Sequence, residues 1–334
     1  MAHFAVLSTW RAQPAKMTKI PTVKLSNGVE MPIIGLGTWQ SSPEEVKAAV
    51  KAAVHLGYRL IDTAAVYQNE EAIGDAVHEL IEESVVKRED LFITTKAWTS
   101  DLGSKEALES ALRGSLKKLR LEKVDLYLAH MPAAFNADCS QHLKDVSVED
   151  VWAAFEHVYN LGLTRAIGVS NWSDEQIERV QKIAKVPIHN SQDELHLYFA
   201  QHKHQEVCKK HNISLTSYAT LGSPGRVNFS LPGGQKLNWA PAPSELEDAN
   251  VKALAEKYHK SPAQILLRYA LDRDIAIIPK SVNESRIKEN FALFDFKLTQ
   301  DEIKKLESAG HNQRLFLQDF MIDHPEDPFK NERH

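Results

Sequence analysis

The sequence predicts an α/β fold, a single (β/α)8 TIM barrel, and three observations carry that expectation. Short, continuously apolar runs alternate with helical patterns, eight such strand-then-helix units follow one another, and no shift of composition marks a boundary among them. Strands of this kind suit a parallel sheet covered on both faces. Eight units suit a closed barrel rather than an open doubly wound sheet. An N-terminal β-hairpin, a long lid loop and a C-terminal loop complete the expected architecture.

The elements follow in order. In Thr22–Pro32, Asn27-Gly28 separates two short alternating segments, the strongest short-range hairpin signal. Ile33–Gly37 then leads to a helix near Pro43–His55, with Pro43 in the first turn. Tyr58–Asp62 leads to Glu70–Glu83, Leu91–Lys96 to Lys105–Leu119, and Val124–His130 to Val148–Asn160. Thr164–Ser170 leads to Asp174–Lys185, Ile188–Gln192 to Gln201–His211, Ile213–Tyr218 to Leu246–His259, and Ile275–Pro279 to Glu284–Phe291. The glycine fingerprint of an open dinucleotide-binding sheet is missing: Gly35-Leu36-Gly37 opens like one, but Gln40 stands where its third glycine belongs.

Leu221–Glu247 is long and rich in Gly and Pro, and an apolar-studded tail runs beyond Gly310. Loops this long in a compact protein are usually lids or binding loops. Phe229, Leu231, Trp239, Leu315, Phe316, Leu317 and Phe320 argue against a disordered excursion. Residues 21–334 therefore read as one barrel domain and residues 1–20 as an extension. The first acidic residue is Glu30, and Arg11, Lys16, Lys19 and Lys24 precede it. Two readings of that start stand: an unstructured extension, with Met17 as an alternative first residue, or a targeting segment.

Composition narrows the function. The 334 residues are 43% hydrophobic and 25% charged, enough apolar material for a large core. A net charge of −5 counts against a nucleic-acid partner but allows a local basic pocket for a phosphorylated ligand. No run approaches 18 apolar residues, so no membrane span is expected. Cys139 and Cys208 make neither a disulfide framework nor a zinc site, and a reducing, cytoplasmic location fits them. The dense set His189, His196, His202, His204 and His211 lacks a completing cysteine or carboxylate pattern and reads as surface histidines, so no metal is expected.

In a barrel of this kind, catalytic groups sit at the C-terminal ends of the strands. The second strand ends in Asp62, with Tyr67 soon after, the third in Lys96 and the fourth in His130. Singly, each has an ordinary structural reading: a helix cap, a packing ring, a solvated lysine, a core histidine. Four ionisable groups at three successive strand ends are a stronger joint signal. A phenol is a poor acid at neutral pH, but a neighbouring ammonium favours the phenolate and lowers its pKa. Lys96 supplies that ammonium, Asp62 holds Lys96, and a neutral His130 orients a carbonyl oxygen. Such a set protonates an alkoxide forming on an aldehyde or ketone. The electron pair then arrives as hydride, from a nicotinamide cofactor.

GLGTW at Gly35–Trp39, IDTAAVY at Ile61–Tyr67, ITTKAW at Ile93–Trp98, IGVSN at Ile167–Asn171 and IPKSVNESRIKENF at Ile278–Phe291 resemble the aldo-keto reductase superfamily. The likeness runs from about Val23 to Phe329 and extends to the arthropod branch that includes 3-dehydroecdysone reductases. It implies that Asp62, Tyr67, Lys96 and His130 are the catalytic tetrad, with Tyr67 the proton donor. It implies NADPH/NADP+ as cofactor, held by Gly37, Thr38, Trp39, Asp62, Leu221, Ser223 and Val282. It further implies that Ser170, Asn171 and Gln192 bind the carboxamide and that Tyr218 stacks on the nicotinamide. Lys280, Ser281, Asn283 and Arg286 grip the 2′-phosphate, and Glu289 and Asn290 meet the adenine. Charge-assisted bonds of about 1.5–3 kcal/mol each give on the order of 10²–10⁴ in preference for NADPH over NADH.

The pocket implied is apolar, lined by Trp39, Tyr67, Trp98, His130, Met131, Phe229 and Trp239, with Leu315 and Phe316 from the C-terminal substrate loop. It suits hydrophobic aldehydes and ketones, steroid-like ketones among them, taken by a monomer. Two departures stand out. Met131 follows His130 where the family often has Trp, and Gln40 and Gly225 occupy the positions of a Lys–Asp link that belts the cofactor in many members. Weaker belting and faster cofactor exchange are expected. Two other functions are compatible with a barrel of this kind: a non-catalytic, cofactor-sensing regulatory subunit, and a Schiff-base aldolase using Lys96 or Lys280, which would require a desolvated lysine without a carboxylate partner.

Overall fold

The computed structural model describes residues 20–229, 239 and 241–333. The N-terminal extension up to residue 19 and Leu231 lie outside the described residues. Strands β1 (Thr22–Lys24) and β2 (Glu30–Pro32) form the antiparallel hairpin. Its turn needs Gly28, whose φ of 86° lies in the left-handed region. Leu25 and Met31 from the hairpin pack with Leu60, Phe92, Leu126, Leu128 and Ala276, closing the barrel's lower end with apolar side chains.

Eight parallel strands follow in sequential order: β3 (Gly35–Gly37), β4 (Leu60–Asp62), β5 (Phe92–Ala97), β6 (Leu126–Ala129), β7 (Ile167–Ser170), β8 (Asn190–Glu194), β9 (Ser214–Tyr218) and β10 (Ala276–Ile277). The ring closes where Ile34 pairs with Ile277 and Gly37 with Lys280. Gly37 permits that closure: a Cβ there would stand 2.5 Å from the Ile278 carbonyl oxygen. The helices α1 (Pro43–Leu56), α2 (Glu70–Glu82), α3 (Lys105–Leu119), α4 (Val148–Asn160), α5 (Asp174–Gln181) and α6 (His202–Lys210) alternate with the strands. Ser42, Ser104, Ser147 and Ser173 cap four of them at the first turn. The main core lies between strands and helices, with Ile61, Ile93, Tyr127, Trp152 and Phe155 at its centre.

The seventh unit differs from expectation. It holds two helices, α7 (Ala249–Tyr258) and α8 (Pro262–Leu271), and it is α8 that feeds β10. Every residue from Gln264 to Leu271 is buried, so α8 shows no polar face for periodicity to detect. After α9 (Glu284–Phe291) comes α10 (Gln300–Glu307), also unforeseen, capped by Thr299. Strand β8 runs two residues later than predicted, and α5 stops at Gln181 rather than Lys185. Among the described residues no helix is long and apolar enough to cross a membrane.

Candidate active site at the strand ends

The four predicted groups converge. Asp62 is the last residue of β4, and Tyr67 sits in the single 3-10 turn Ala65–Tyr67 just beyond it. Lys96 lies near the end of β5, and His130 follows β6. Lys96 is fully buried, and its Nζ donates to Asp62 Oδ1 at 2.5 Å and to the Thr63 carbonyl at 2.8 Å. The same Nζ stands 5.1 Å from the centre of the Tyr67 ring. His130 meets Tyr67 edge-to-face, centroids 5.6 Å apart, and meets Trp98 likewise at 5.3 Å. Its Nδ1 is buried with no hydrogen-bond partner among the described residues.

The electrostatics correct one expectation. Tyr67 is not acidified: burial, and then the Asp62 charge, push its phenol well above the ordinary value. Burial likewise lowers the Lys96 ammonium, opposed by Asp62. Burial, reinforced by the Lys96 charge, holds His130 well below the usual histidine range. The resting site thus carries a protonated phenol and a neutral imidazole beside an ion pair. Lys96 is desolvated, as the aldolase alternative requires, but its ammonium is paired with Asp62, which that alternative does not expect.

Asn171 is the hub of the next layer. Its Nδ2 donates to the His130 carbonyl at 2.9 Å and to Ser170 Oγ at 3.1 Å, and its Oδ1 accepts from the Tyr218 hydroxyl at 2.6 Å. Its φ of 61° is left-handed, a conformation asparagine tolerates. Gln192 donates to Asp62 Oδ2 at 2.7 Å, so the carboxamide set and the tetrad share one carboxylate. Thr38 Oγ1 donates to the Asp62 carbonyl at 2.8 Å.

The segment after β10 lies against the same rim. Lys280, Val282, Asn283 and Arg286 are exposed, and Asn283 caps α9 by accepting from the Arg286 amide. A helix N-terminus flanked by two exposed cations suits a phosphate. Lys280 Nζ donates to the Gln40 carbonyl at 3.2 Å, while Gly225, the other belt position, carries no side chain. Ser281 Oγ accepts from the Asn283 amide at 3.1 Å. Glu289 accepts from Ser261 Oγ at 2.5 Å, and Asn290 is buried. Leu221 packs into the core, and Ser223 holds a φ of 42° at the start of the loop.

Above the tetrad, aromatic rings from three segments meet. Trp39 lies 5.3 Å from Phe229, 6.1 Å from Trp239 and 5.9 Å from Phe316, and Phe316 stands 4.9 Å from Trp239 and 5.8 Å from Tyr218. Met131 is buried in a cluster with Phe135, Met321 and Phe329, against which Trp98 packs. Leu315 borders a small gap beside His196 and Tyr198.

The histidine reading is corrected for three residues: His189, His196 and His204 are buried, and His202 is exposed as expected. His204 is flanked by Asp193 Oδ2 at 2.9 Å and Asp174 Oδ1 at 2.8 Å, and Asp193 Oδ1 in turn accepts from the Asn171 amide at 2.9 Å. Sequence reasoning also missed Asn69, whose Nδ2 donates to the Thr38 and Ser41 carbonyls and so fixes the loop carrying Trp39. Asn69 lies two residues beyond Tyr67, and that proximity was the one available signal.

The Aldo/keto reductase family model matches residues 33–311. The chain is 40% identical over 328 residues to aldo-keto reductase family 1 member A1 of Gallus gallus, covering 92% of this chain and 97% of that protein. Against the Sus scrofa protein of that name the identity is 41% over 313 residues, covering 90% and 93%. Among solved structures it resembles a Bombyx mori aldo-keto reductase in complex with NADP, with TM-score 0.84, 37% identity and coverage of 93% and 99%. The aldose reductase of Schistosoma japonicum gives 0.83, 36%, 94% and 100%. This chain belongs to the aldo/keto reductase family.

Proposed function

We propose that the protein is an NADPH-dependent reductase of hydrophobic aldehydes and ketones, with Tyr67 as the general acid. The observation that carries this reading is the packing of Tyr67 between the Lys96 ammonium, 5.1 Å from its ring centre, and the edge of His130. The residues present fit the cofactor. The His130 Nδ1 is buried without a partner among the described residues, Asn171 links the His130 carbonyl to the Tyr218 hydroxyl, and Lys280 and Arg286 flank the capped start of α9.

Ser170, Asn171 and Gln192 would hold the carboxamide and Tyr218 the ring face, with Lys280, Ser281, Asn283 and Arg286 on the 2′-phosphate. When bound, reduced nicotinamide supplies the hydride. Neutral His130 donates a hydrogen bond to the substrate carbonyl oxygen. Tyr67, protonated at neutral pH as phenols ordinarily are and held further above that range by burial, delivers its proton to that oxygen as charge builds there. The phenolate left behind is then stabilised by Lys96, which Asp62 holds in place.

The rings of Trp39, Phe229, Trp239 and Phe316 favour flat, apolar carbonyl compounds, 3-oxosteroids such as 3-dehydroecdysone among them. NADPH oxidation against a panel of aldehydes, dicarbonyls, quinones and 3-oxosteroids tests this. Tyr67→Phe should lower kcat by about 10²–10⁴ while NADPH binding stays within a few-fold. Near-full kcat in that variant defeats the acid assignment. Lys280→Ala with Arg286→Ala should raise KM for NADPH by about 10²-fold or more, and hardly change KM for NADH. Equal effects on both coenzymes defeat the 2′-phosphate role.

A further inference from the structure

Just beyond the tetrad, strand β8 leads into a buried charge cluster that the mechanism above does not use. Glu194, the last residue of β8, accepts from the backbone amides of Leu315 and Phe316 at 2.5 and 2.9 Å. Glu245, where the long loop rejoins the barrel, accepts from the amides of Leu197 and Tyr198 at 3.3 and 3.1 Å. Between the carboxylates stands His196. Its Nε2 lies 3.0 Å from Glu194 Oε1, and its Nδ1 forms an ion pair with Glu245 Oε1. All three side chains are buried to within a few per cent.

We propose that Glu194, His196 and Glu245 form a coupler that sets the shape of the substrate mouth, with His196 making the seat of the C-terminal tail and the seat of the long loop depend on each other. The inference rests on the carbonyl-reductase reading only for what the mouth admits. None of the three touches the reacting atoms, so they are positioning residues.

Three features support it. Each carboxylate is engaged by backbone amides of a different stretch of chain, and Glu194 thereby fixes the backbone of Phe316, whose ring meets Trp39, Trp239 and Tyr218. The two segments also touch directly, since Gln313 donates from Nε2 to the Pro241 carbonyl and from its amide to the Tyr198 carbonyl. Finally, two buried carboxylates that share one imidazole need positive charge beside them, which His196 supplies from between them and Arg314 and Arg226 supply on the Glu194 side. Burial alone would discharge the imidazole, but Glu194 and Glu245 hold it up to about 9, so the positive charge is present at neutral pH.

Removing that cation takes away the one group that bonds both carboxylates, leaving Glu194 to Arg314 and Arg226 and Glu245 to its backbone amides, and the segments they seat should shift. The test compares His196→Gln with wild type on a bulky planar dicarbonyl, 9,10-phenanthrenequinone, and on propanal, with NADPH. The variant should lose about tenfold in kcat/KM for the quinone, mainly through KM, and stay within about twofold for propanal. Phe316→Ala should reproduce the loss, and the double variant should add little to either, because coupled residues are non-additive. Acrylamide quenching of tryptophan fluorescence in the cofactor-free protein should rise in both single variants. Glu194→Gln, which keeps shape and removes charge, decides the matter if His196→Gln does not fold.

Equal losses on both substrates with a lowered Tm, or full additivity with Phe316→Ala, overturn the coupler and leave a plain structural role. A wild-type protein that reduces no carbonyl defeats the functional reading instead. The quenching comparison then still decides the coupler: unchanged quenching in His196→Gln overturns it.

Discussion

Strands β6 and β8 lie two positions apart in the same barrel, and every residue of both is buried. Their compositions are opposite. β6 reads Leu-Tyr-Leu-Ala and spends its burial on packing: Leu126 and Leu128 point to the barrel interior, Tyr127 and Ala129 to the helices. β8 reads Asn-Ser-Gln-Asp-Glu, and each of its side chains has a polar partner. Asn190 donates to Ser214 and Thr216, Ser191 to Asp193, Gln192 to Asp62, while Asp193 accepts from Asn171 and Glu194 from the tail. A buried polar group without a partner costs about 1–3 kcal/mol, so five in a row are tolerable only because nearly all of them are paired, Asn190 Oδ1 being buried without a partner among the described residues. The apolar strand holds the barrel together. The polar strand aims Asp62, Asn171 and the tail at the mouth.

This contrast can be broken or sharpened by experiment. Asp193→Leu should be the most damaging change, at about 3–5 kcal/mol, because it strips the buried His204 of one of its two carboxylates and leaves the Asn171 amide only its longer bond, 3.3 Å, to the Gln192 carbonyl. Urea unfolding measures it, and a loss below about 1 kcal/mol would mean that the polar network is not obligatory. Leu128→Ala should cost about 2–5 kcal/mol through its cavity, but KM for NADPH in the folded fraction should not move. If it does, the division of labour between the strands fails.

A smaller effect is expected from pH. His196 is raised to about 9 by Glu194 and Glu245 against burial. Its contribution to stability is therefore complete below the ordinary histidine pKa of about 6.5 and fades as pH rises through about 9, by on the order of 1–3 kcal/mol. Tm measured from pH 6 to 10 should fall across that window in wild type, and His196→Gln should flatten the slope.

The same contrast explains what the sequence could and could not reveal. The strand ends of the apolar half were legible because hydropathy marks them: Asp62, Lys96 and His130 each close an apolar run. In β8 hydropathy points the wrong way. The run Ile188 onward turns polar just where the strand begins, so the strand was placed two residues early, and His196 and His204 looked like surface residues. What buries them are partners distant in sequence, Glu245 for His196 and Asp174 for His204, and no local pattern carries that information. Helix α8 escaped for the converse reason, being covered on all sides.

The amides that Glu194 receives give the molecule an order of assembly in time. Leu315 stands 121 residues downstream of Glu194. In a chain made from its N-terminus, β8 is synthesised long before the tail that neutralises its last residue. During that interval the carboxylate has His196 beside it but lacks two of its donors, and an under-partnered anion is costly in such an interior. The apolar strands can settle at once, whereas the end of β8 has to wait. The mouth accordingly cannot be completed before residues 315 and 316 have been made.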